Sequence, residues 1–311
     1  MCNYIFLGTG AGMPSKERNT SALMVKLLDE IGEMWLFDCG EATQHQILHS
    51  SLKPRKVTKI FITHLHGDHI FGLPGFLSSR SFQGGDEPLT IFGPAGLQQW
   101  VEQTFALSKT HLTYPLQFVE VQEGVIYEDA HFTVRAGELR HVVPCFGYRI
   151  EQKELPGELL MEKVQALGVP KGPLLGQLKR GHNIELENGI IIKATDVVAP
   201  PKKGFTLTIL GDTKYCEEAI TLAQQADIVI HEATFDGGTT ELAANYGHST
   251  NVEAAMVAKR AGAKFLLLNH LSARFLPHDL PMFLAQAQEI FPQTVLTSDQ
   301  MVFTWSNDEL L

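Results

Sequence analysis

The stretch THLHGDHIFG, residues 63–72, places His64, His66, Asp68 and His69 within six positions. Neutral imidazoles gain little from being neighbours, so such crowding points to coordination of an ion. In a tight loop after a strand, alternate residues His64 and His66 can face one ion. Asp68 and His69, about one turn later, can reach a second. Imidazole with carboxylate suits zinc or a similar borderline ion. Gly67 is expected to let the backbone turn sharply between the two pairs.

Two ions need more than four ligands, and the chain offers more at the ends of apolar runs. YIFLGTG (4–10), WLFDCG (35–40), KIFITHLHGDH (59–69), TLTILGD (206–212), DIVIHE (227–232) and KFLLLNH (264–270) each run into a polar or turn-forming end. Short apolar, often β-branched runs are the pattern of strands buried on both faces. Helical patterns are expected over 216–226, 251–262 and 279–291. In layered α/β folds ligands gather at strand C-terminal ends, so these ends should form one rim. His141, in RHVVPCFGYRI, follows a polar–apolar alternation, whereas His131 should face solvent. The ledger closes with His64, His66 and His141 on one ion and Asp68, His69 and His270 on the other. Asp212 bridges them. Such a pair lowers the pKa of an attacking water and suits in-line attack at phosphorus.

The leaving oxygen needs a proton. Thr250 and Glu253 form a capping-box pattern, which starts a helix near Asn251 and ends it before Gly262. His248 then lies just outside that helix's N-terminus, where the dipole disfavours its charged form. Glu232 can offset this by pairing with the imidazolium, and the pair is a candidate general acid.

The elements that must position these residues fit a chain of 311 residues with 44% hydrophobic and 19% charged content. No apolar run is long enough to span a bilayer, and the N-terminus does not read as a signal peptide. Cys2, Cys39, Cys145 and Cys216 are scattered, which suits reduced core thiols and a cytoplasmic location. The net charge of −10 argues mildly against a polyanionic substrate. Residues 151–189 differ from the rest: they carry several prolines and glycines and amphipathic pieces too short to build a core. They read as an insertion projecting from the domain. Between Lys163 and His182 this stretch holds Lys163, Lys171, Lys179 and Arg180 without a single Asp or Glu.

THLHGDH, RHVVPCFGYRI, GDT, HEATF, GHST and LNHLSARF, in this order, resemble the metallo-β-lactamase fold and, within it, the ribonuclease Z family of tRNA 3′-processing endonucleases. PSKERN (14–19) resembles that family's PxKxRN loop, and KGPLLGQLKRG (171–181) its flexible tRNA-binding arm. The resemblance implies an α/β protein: one metallo-β-lactamase αββα sandwich over 1–311 with a protruding arm at 151–189. It implies a zinc-dependent endoribonuclease with two Zn2+ per subunit, for which Mn2+ or Co2+ could substitute. The implied substrate is precursor tRNA, expected to be cut after the discriminator nucleotide to leave a tRNA 3′-hydroxyl and a 5′-phosphate on the trailer. It also implies a homodimer in which one subunit's arm serves the other's active site. By position, His64, His66, Asp68, His69, His141, Asp212 and His270 are metal ligands, and Asp68 also orients or deprotonates the water. His248 with Glu232 donates the proton. Lys16, Arg18 and Asn19 sit near the substrate 3′ end, Arg274 belongs to a small-x-Arg segment, and Lys163, Lys171, Lys179 and Arg180 bind the tRNA body. A local basic arm suffices to hold phosphate backbone on an acidic body. The rival readings are another dinuclear hydrolase of this fold, acting on a small phosphodiester, arylsulfate or thioester, and an idle RNA-binding scaffold.

Overall fold

Alternation along the strands decides which side chains face helices and which face a second sheet. In the computed structural model, which describes residues 2–306 and 309–311, Met34 and Leu36 of the strand Glu33–Phe37 join a core with Ile60, Ile91, Phe76, Leu77 and Val101. Trp35 and Phe37 point the other way. There Phe37, Phe61 and Phe92 stack at centroid spacings of 4.8 and 4.7 Å, and Tyr148 of the opposite sheet packs 5.4 Å from Phe61. Each such buried ring contributes about 1.5–3 kcal/mol through lost apolar surface, so this layer is a large share of what joins the sheets.

The chain divides into two compact units. The larger runs to Asp129, from Thr133 to Ile150 and from Thr206 to Leu311. Its first sheet orders the strands Glu309–Leu310, Val302–Ser306, Cys2–Gly8, Ala22–Leu27, Glu33–Phe37, Val57–Phe61, Leu89–Gly93 and Leu116–Glu120. Its second orders Thr294–Leu296, Phe265–Asn269, Ile228–Glu232, Thr206–Ile209, Cys145–Gln152, Phe132–Leu139 and Gly124–Glu128. Helices Leu73–Phe82 and Leu97–Ser108 contribute Phe76, Leu77 and Val101 to the first sheet's outer core. Helices Glu217–Leu222, Asn251–Ala261 and Leu280–Ile290 cover the second through small residues such as Ala219, Ala254, Ala258 and Ala287. The layers are therefore helix, sheet, sheet, helix.

Parallel pairing gathers the rim. Thr206–Ile209, Ile228–Glu232 and Phe265–Asn269 run parallel, so Asp212, Glu232 and His270 leave the second sheet at one end. Glu33–Phe37, Val57–Phe61 and Leu89–Gly93 do the same in the first sheet for Asp38 and the 63–69 loop. The six apolar runs read from the sequence all contain strands, and the helices fall where the periodicity put them. The four cysteines are free and buried. No helix among the described residues is long and apolar enough to cross a membrane.

The smaller unit spans Ala130–Phe132 and Glu151–Phe205. Here the structure corrects the expectation that the short amphipathic pieces build no core. Val164, Val169, Leu178, Ile184, Ile192, Ala194 and Val197 form one. Helices Met161–Ala166, Pro173–Lys179 and Ala194–Val197 supply one or two apolar contacts each, and only together do they close it. Ile191–Ile192 pairs antiparallel with Ile184–Glu185.

Candidate metal centre

The strand Val57–Phe61 ends into His64 and His66, and helix Gly67–Ile70 starts directly after His66. The expected role of Gly67 needs correction. Its φ is not positive; instead, a Cβ there would lie 2.2 Å from the Phe71 ring. A side chain here would have to displace the Phe71 ring, which is exposed and free to move.

His64 Nε2 lies 3.1 Å from His66 Nδ1, and His141 Nε2 lies 3.2 Å from the same His66 atom. His69 Nε2 and His270 Nε2 are 3.2 Å apart, with Asp68 Oδ2 3.2 Å from His270. Asp212, 2% exposed, sits between the groups. Its Oδ2 is 3.6 Å from His64 and 3.5 Å from His69, and its Oδ1 is 3.5 Å from His270. For ligands about 2.0–2.1 Å from a tetrahedral ion the ligand–ligand edge is about 3.4 Å. His64, His66, His141 and Asp212 thus form one group able to hold a metal ion, and Asp68, His69 and His270 a second.

The protons on the far ring nitrogens decide whether these contacts are hydrogen bonds. His141 Nδ1–H donates to the Gly247 carbonyl at 2.7 Å, and His69 Nδ1–H to Asp38 Oδ2 at 2.7 Å. Thr63 Oγ1 donates to Asp38, so it accepts from His64 Nδ1–H at 3.0 Å. Thr234 Oγ1 donates to Glu232 Oε2 at 2.7 Å and accepts from His270 Nδ1–H at 2.9 Å. In neutral rings this leaves all four Nε2 atoms as bare lone pairs aimed at two points already flanked by carboxylate oxygens. A cation satisfies that arrangement, and fixing the outer nitrogen is how metal-binding imidazoles are oriented. Burial holds His64 well below the usual imidazole range and His141 below it, favouring the neutral form a ligand requires. The donor set fits zinc chemistry.

Two of these positions hold left-handed backbone without glycine: His270 at φ 57° and Asp38 at φ 54°. Each turns a side chain back toward the centre at a strand end, and such strain persists only where surroundings over-determine it. Asp68 Oδ2 also accepts the Gly12 N–H at 2.7 Å. Burial alone would raise the Asp68 carboxyl, but where the His270 and His69 rings are protonated their hydrogen bonds outweigh it and hold Asp68 far below the carboxylate range.

Beside the centre, Glu232 Oε1 accepts from His248 Nδ1 at 3.0 Å and from the amides of Thr213 and Ser249. Glu232 Oε2 accepts from the amide and hydroxyl of Thr234. Burial lowers the His248 imidazolium's stability, yet Glu232 overrides it and raises the pKa to about 9. The capping box forms as read, with Thr250 and Glu253 exchanging both bonds ahead of helix Asn251–Ala261.

The remaining candidates are placed less uniformly. Lys16 is exposed, but Asn19 is buried and its amide donates to the Glu41 carbonyl at 2.8 Å. Arg18 Nη1 donates to Thr9 Oγ1 and to the Thr297 carbonyl, both at 2.7 Å. These two side chains shape the loop from within. Arg274 lies over the Phe235 ring at 4.7 Å and lines a cleft of about 290 Å³ with Asp68, His248 and His270. In the smaller unit Lys163, Lys171, Lys179 and Arg180 are all exposed. His131 is exposed, as expected. Sequence reading noted Asp38 only as a strand end and passed over Thr63, Thr234 and the Gly247 carbonyl. Asp38's position on the rim was the one available signal.

A helix–sheet–sheet–helix sandwich with paired His/Asp groups on its rim defines a protein of the metallo-β-lactamase fold. The structure is similar to the metallo-beta-lactamase fold protein YhfI from Bacillus subtilis, at 22% identity and a TM-score of 0.67, covering 97% of this chain and 98% of that one. It is also similar to the short form of human tRNase Z, with 32% identity and a TM-score of 0.70 over 97% of this chain and 98% of that one. Residues 2–153 match the family described as "Anti-Pycsar protein Apyc1". Over 301 residues the sequence is 52% identical to "Ribonuclease Z" of Bacillus thuringiensis (strain Al Hakam), covering 96% of this chain and 98% of that protein. The chain belongs to the ribonuclease Z family.

Proposed function

We propose that this chain is a metal-dependent endoribonuclease that removes the 3′ trailer from precursor tRNA, leaving a 3′-hydroxyl on the tRNA and a 5′-phosphate on the trailer. The observation that carries this is the 52% identity to a ribonuclease Z across nearly the full length of both chains. The rim supplies the chemistry the reaction needs. His64, His66 and His141 would hold one Zn2+, Asp68, His69 and His270 the other, and Asp212 both; Mn2+ or Co2+ could replace them. Bound there, the pair would supply an activated water and offset charge on the phosphate's non-bridging oxygens. Asp68, fixed by the Gly12 amide, orients or deprotonates that water. His248, held and charged by Glu232, presents its Nε2 to the cleft and gives its proton to the leaving 3′-oxygen. Lys16 and Arg274 contact the substrate near the cut. The exposed Lys163, Lys171, Lys179 and Arg180 bind the tRNA body, with 151–189 serving as the arm. The working form is a cytoplasmic homodimer.

The test is to incubate zinc-loaded protein with 3′-extended precursor tRNA and map both product ends. Cleavage after the discriminator nucleotide with the stated ends is expected. Activity confined to small phosphodiesters, arylsulfates or thioesters would replace this reading with that of another dinuclear hydrolase.

A further inference from the structure

Two residues before His248, helix Thr240–Tyr246 ends at Gly247, whose φ of 74° reverses the chain. A Cβ at Gly247 would lie 2.9 Å from His141 Nδ1, so the reversal is packed directly against the metal centre. It leaves the last helical residue, Tyr246, on the wall of the same cleft as His248. Tyr246 is 60% exposed, while Phe235 beneath it is 3% exposed. The two rings are stacked, with centroids 6.3 Å apart and planes 16° from parallel. Arg274 caps the same Phe235 ring, and Leu242 extends the apolar wall. The result is an aromatic surface fixed from behind and open in front.

The chemistry of the site says what meets it. His248 protonates the leaving oxygen, so the nucleotide carrying that oxygen must lie on the His248 side of the scissile phosphate. The water attacks from the opposite side. The wall beside His248 therefore faces the nucleoside that keeps the new 3′-hydroxyl. We infer that Tyr246, backed by Phe235, is the platform on which the base of that nucleotide stacks, positioning its 3′-oxygen against His248. A π-face accepts any base, so the platform fixes position without selecting identity. This inference rests on the proposed cleavage reaction and adds a residue to it.

The experiment is a cycle of two changes. Wild type, Tyr246→Ala, Tyr246→Phe and Tyr246→Trp are each assayed on precursor tRNA with a normal or an abasic residue at the last retained nucleotide. Stacking is worth about 1–3 kcal/mol per base, so Tyr246→Ala should lower kcat/KM roughly 5- to 150-fold on the normal substrate. The abasic substrate should cost wild type a similar factor, and the variant little more. Tyr246→Phe should cleave like wild type and Tyr246→Trp at least as well, with metal content equal in all four. Losses that multiply, or a Tyr246→Ala variant that cleaves the normal substrate like wild type, would overturn the platform. Failure of the underlying reading looks different: wild type itself would not leave a 3′-hydroxyl at that nucleotide.

Discussion

Glu232 and His248 are joined by a 3.0 Å hydrogen bond, and the same Glu232 oxygen accepts the amide of Ser249, the residue after His248. One buried carboxylate thus fixes both the charge of the imidazole and the backbone that carries it. His248→Ala should leave metal content intact and slow cleavage about 10²–10⁴-fold, the range for a lost general acid. A substrate with a sulfur leaving group needs no proton and should recover much of that loss. Absence of recovery, read by single-turnover kinetics, would reduce His248 to positioning.

The same pair sets a pH dependence. His248 must be protonated to act, so activity should fall as pH rises through about 9. Glu232→Gln removes the charge that raises this pKa, and the alkaline limb should move down toward the ordinary imidazole value near 6.5. Because the folded value lies above the unfolded one, the pair's contribution to stability is complete below about pH 6.5. It disappears as pH climbs to about 9. A pH–rate profile of kcat/KM for both proteins checks the shift; coincident limbs would contradict it.

Among the described residues Asp212 is the one carboxylate within 3.6 Å of His64, 3.5 Å of His69 and 3.5 Å of His270. Asp212→Ala should lower occupancy at both positions together. Elemental analysis of dialysed protein decides: two ions per chain in the variant would show that the carboxylate does not bridge.

Asp38 accepts from His69 Nδ1 at 2.7 Å, from the Thr63 amide at 2.8 Å and from its hydroxyl at 3.0 Å. Asparagine tolerates left-handed backbone, so Asp38→Asn should fold. It replaces a charged acceptor behind His69 with a neutral one and should weaken metal affinity about 10- to 100-fold. Competition with a chelator measures this, and an unchanged midpoint would be the adverse result.

Neutralising Lys163, Lys171, Lys179 and Arg180 together should weaken precursor binding and flatten its salt dependence, with a slope change of at most about four. Substitution is a cleaner probe than deletion, since residues 156–182 contribute Val164, Val169 and Leu178 to the smaller unit's core. Turnover of bis(p-nitrophenyl) phosphate serves as the reference. Equal losses on both substrates would remove the phosphate-contact role.

The metal-binding pattern was legible because coordination demands particular residue types, and parallel strands put them at predictable ends. His248 and Glu232 were legible through the capping box that follows them. Asp38, Thr63 and Thr234 were not, because aspartate and threonine at strand ends are ordinary and their task appears only when a ring nitrogen lies opposite. Arg18 and Asn19, expected near the substrate 3′ end from the PSKERN loop, have partners that the sequence did not reveal, because Thr297 and Glu41 lie far off in the chain. The core of the smaller unit escaped notice because its apolar residues come singly, from helices of four to seven residues.

The pairing of Cys2–Gly8 with Val302–Ser306 has a consequence for vectorial synthesis. Cys2 is opposite Trp305 and Ile5 opposite Val302, so this strand has one edge uncovered until a much later segment of the chain has been made. His270 likewise reaches the rim long after His64. A chain lacking these segments has six of the seven proposed ligands and leaves one edge of Cys2–Gly8 uncovered, and contacts this distant form slowly. The complete ligand set therefore forms only once His270 has been made, well after the 63–69 loop.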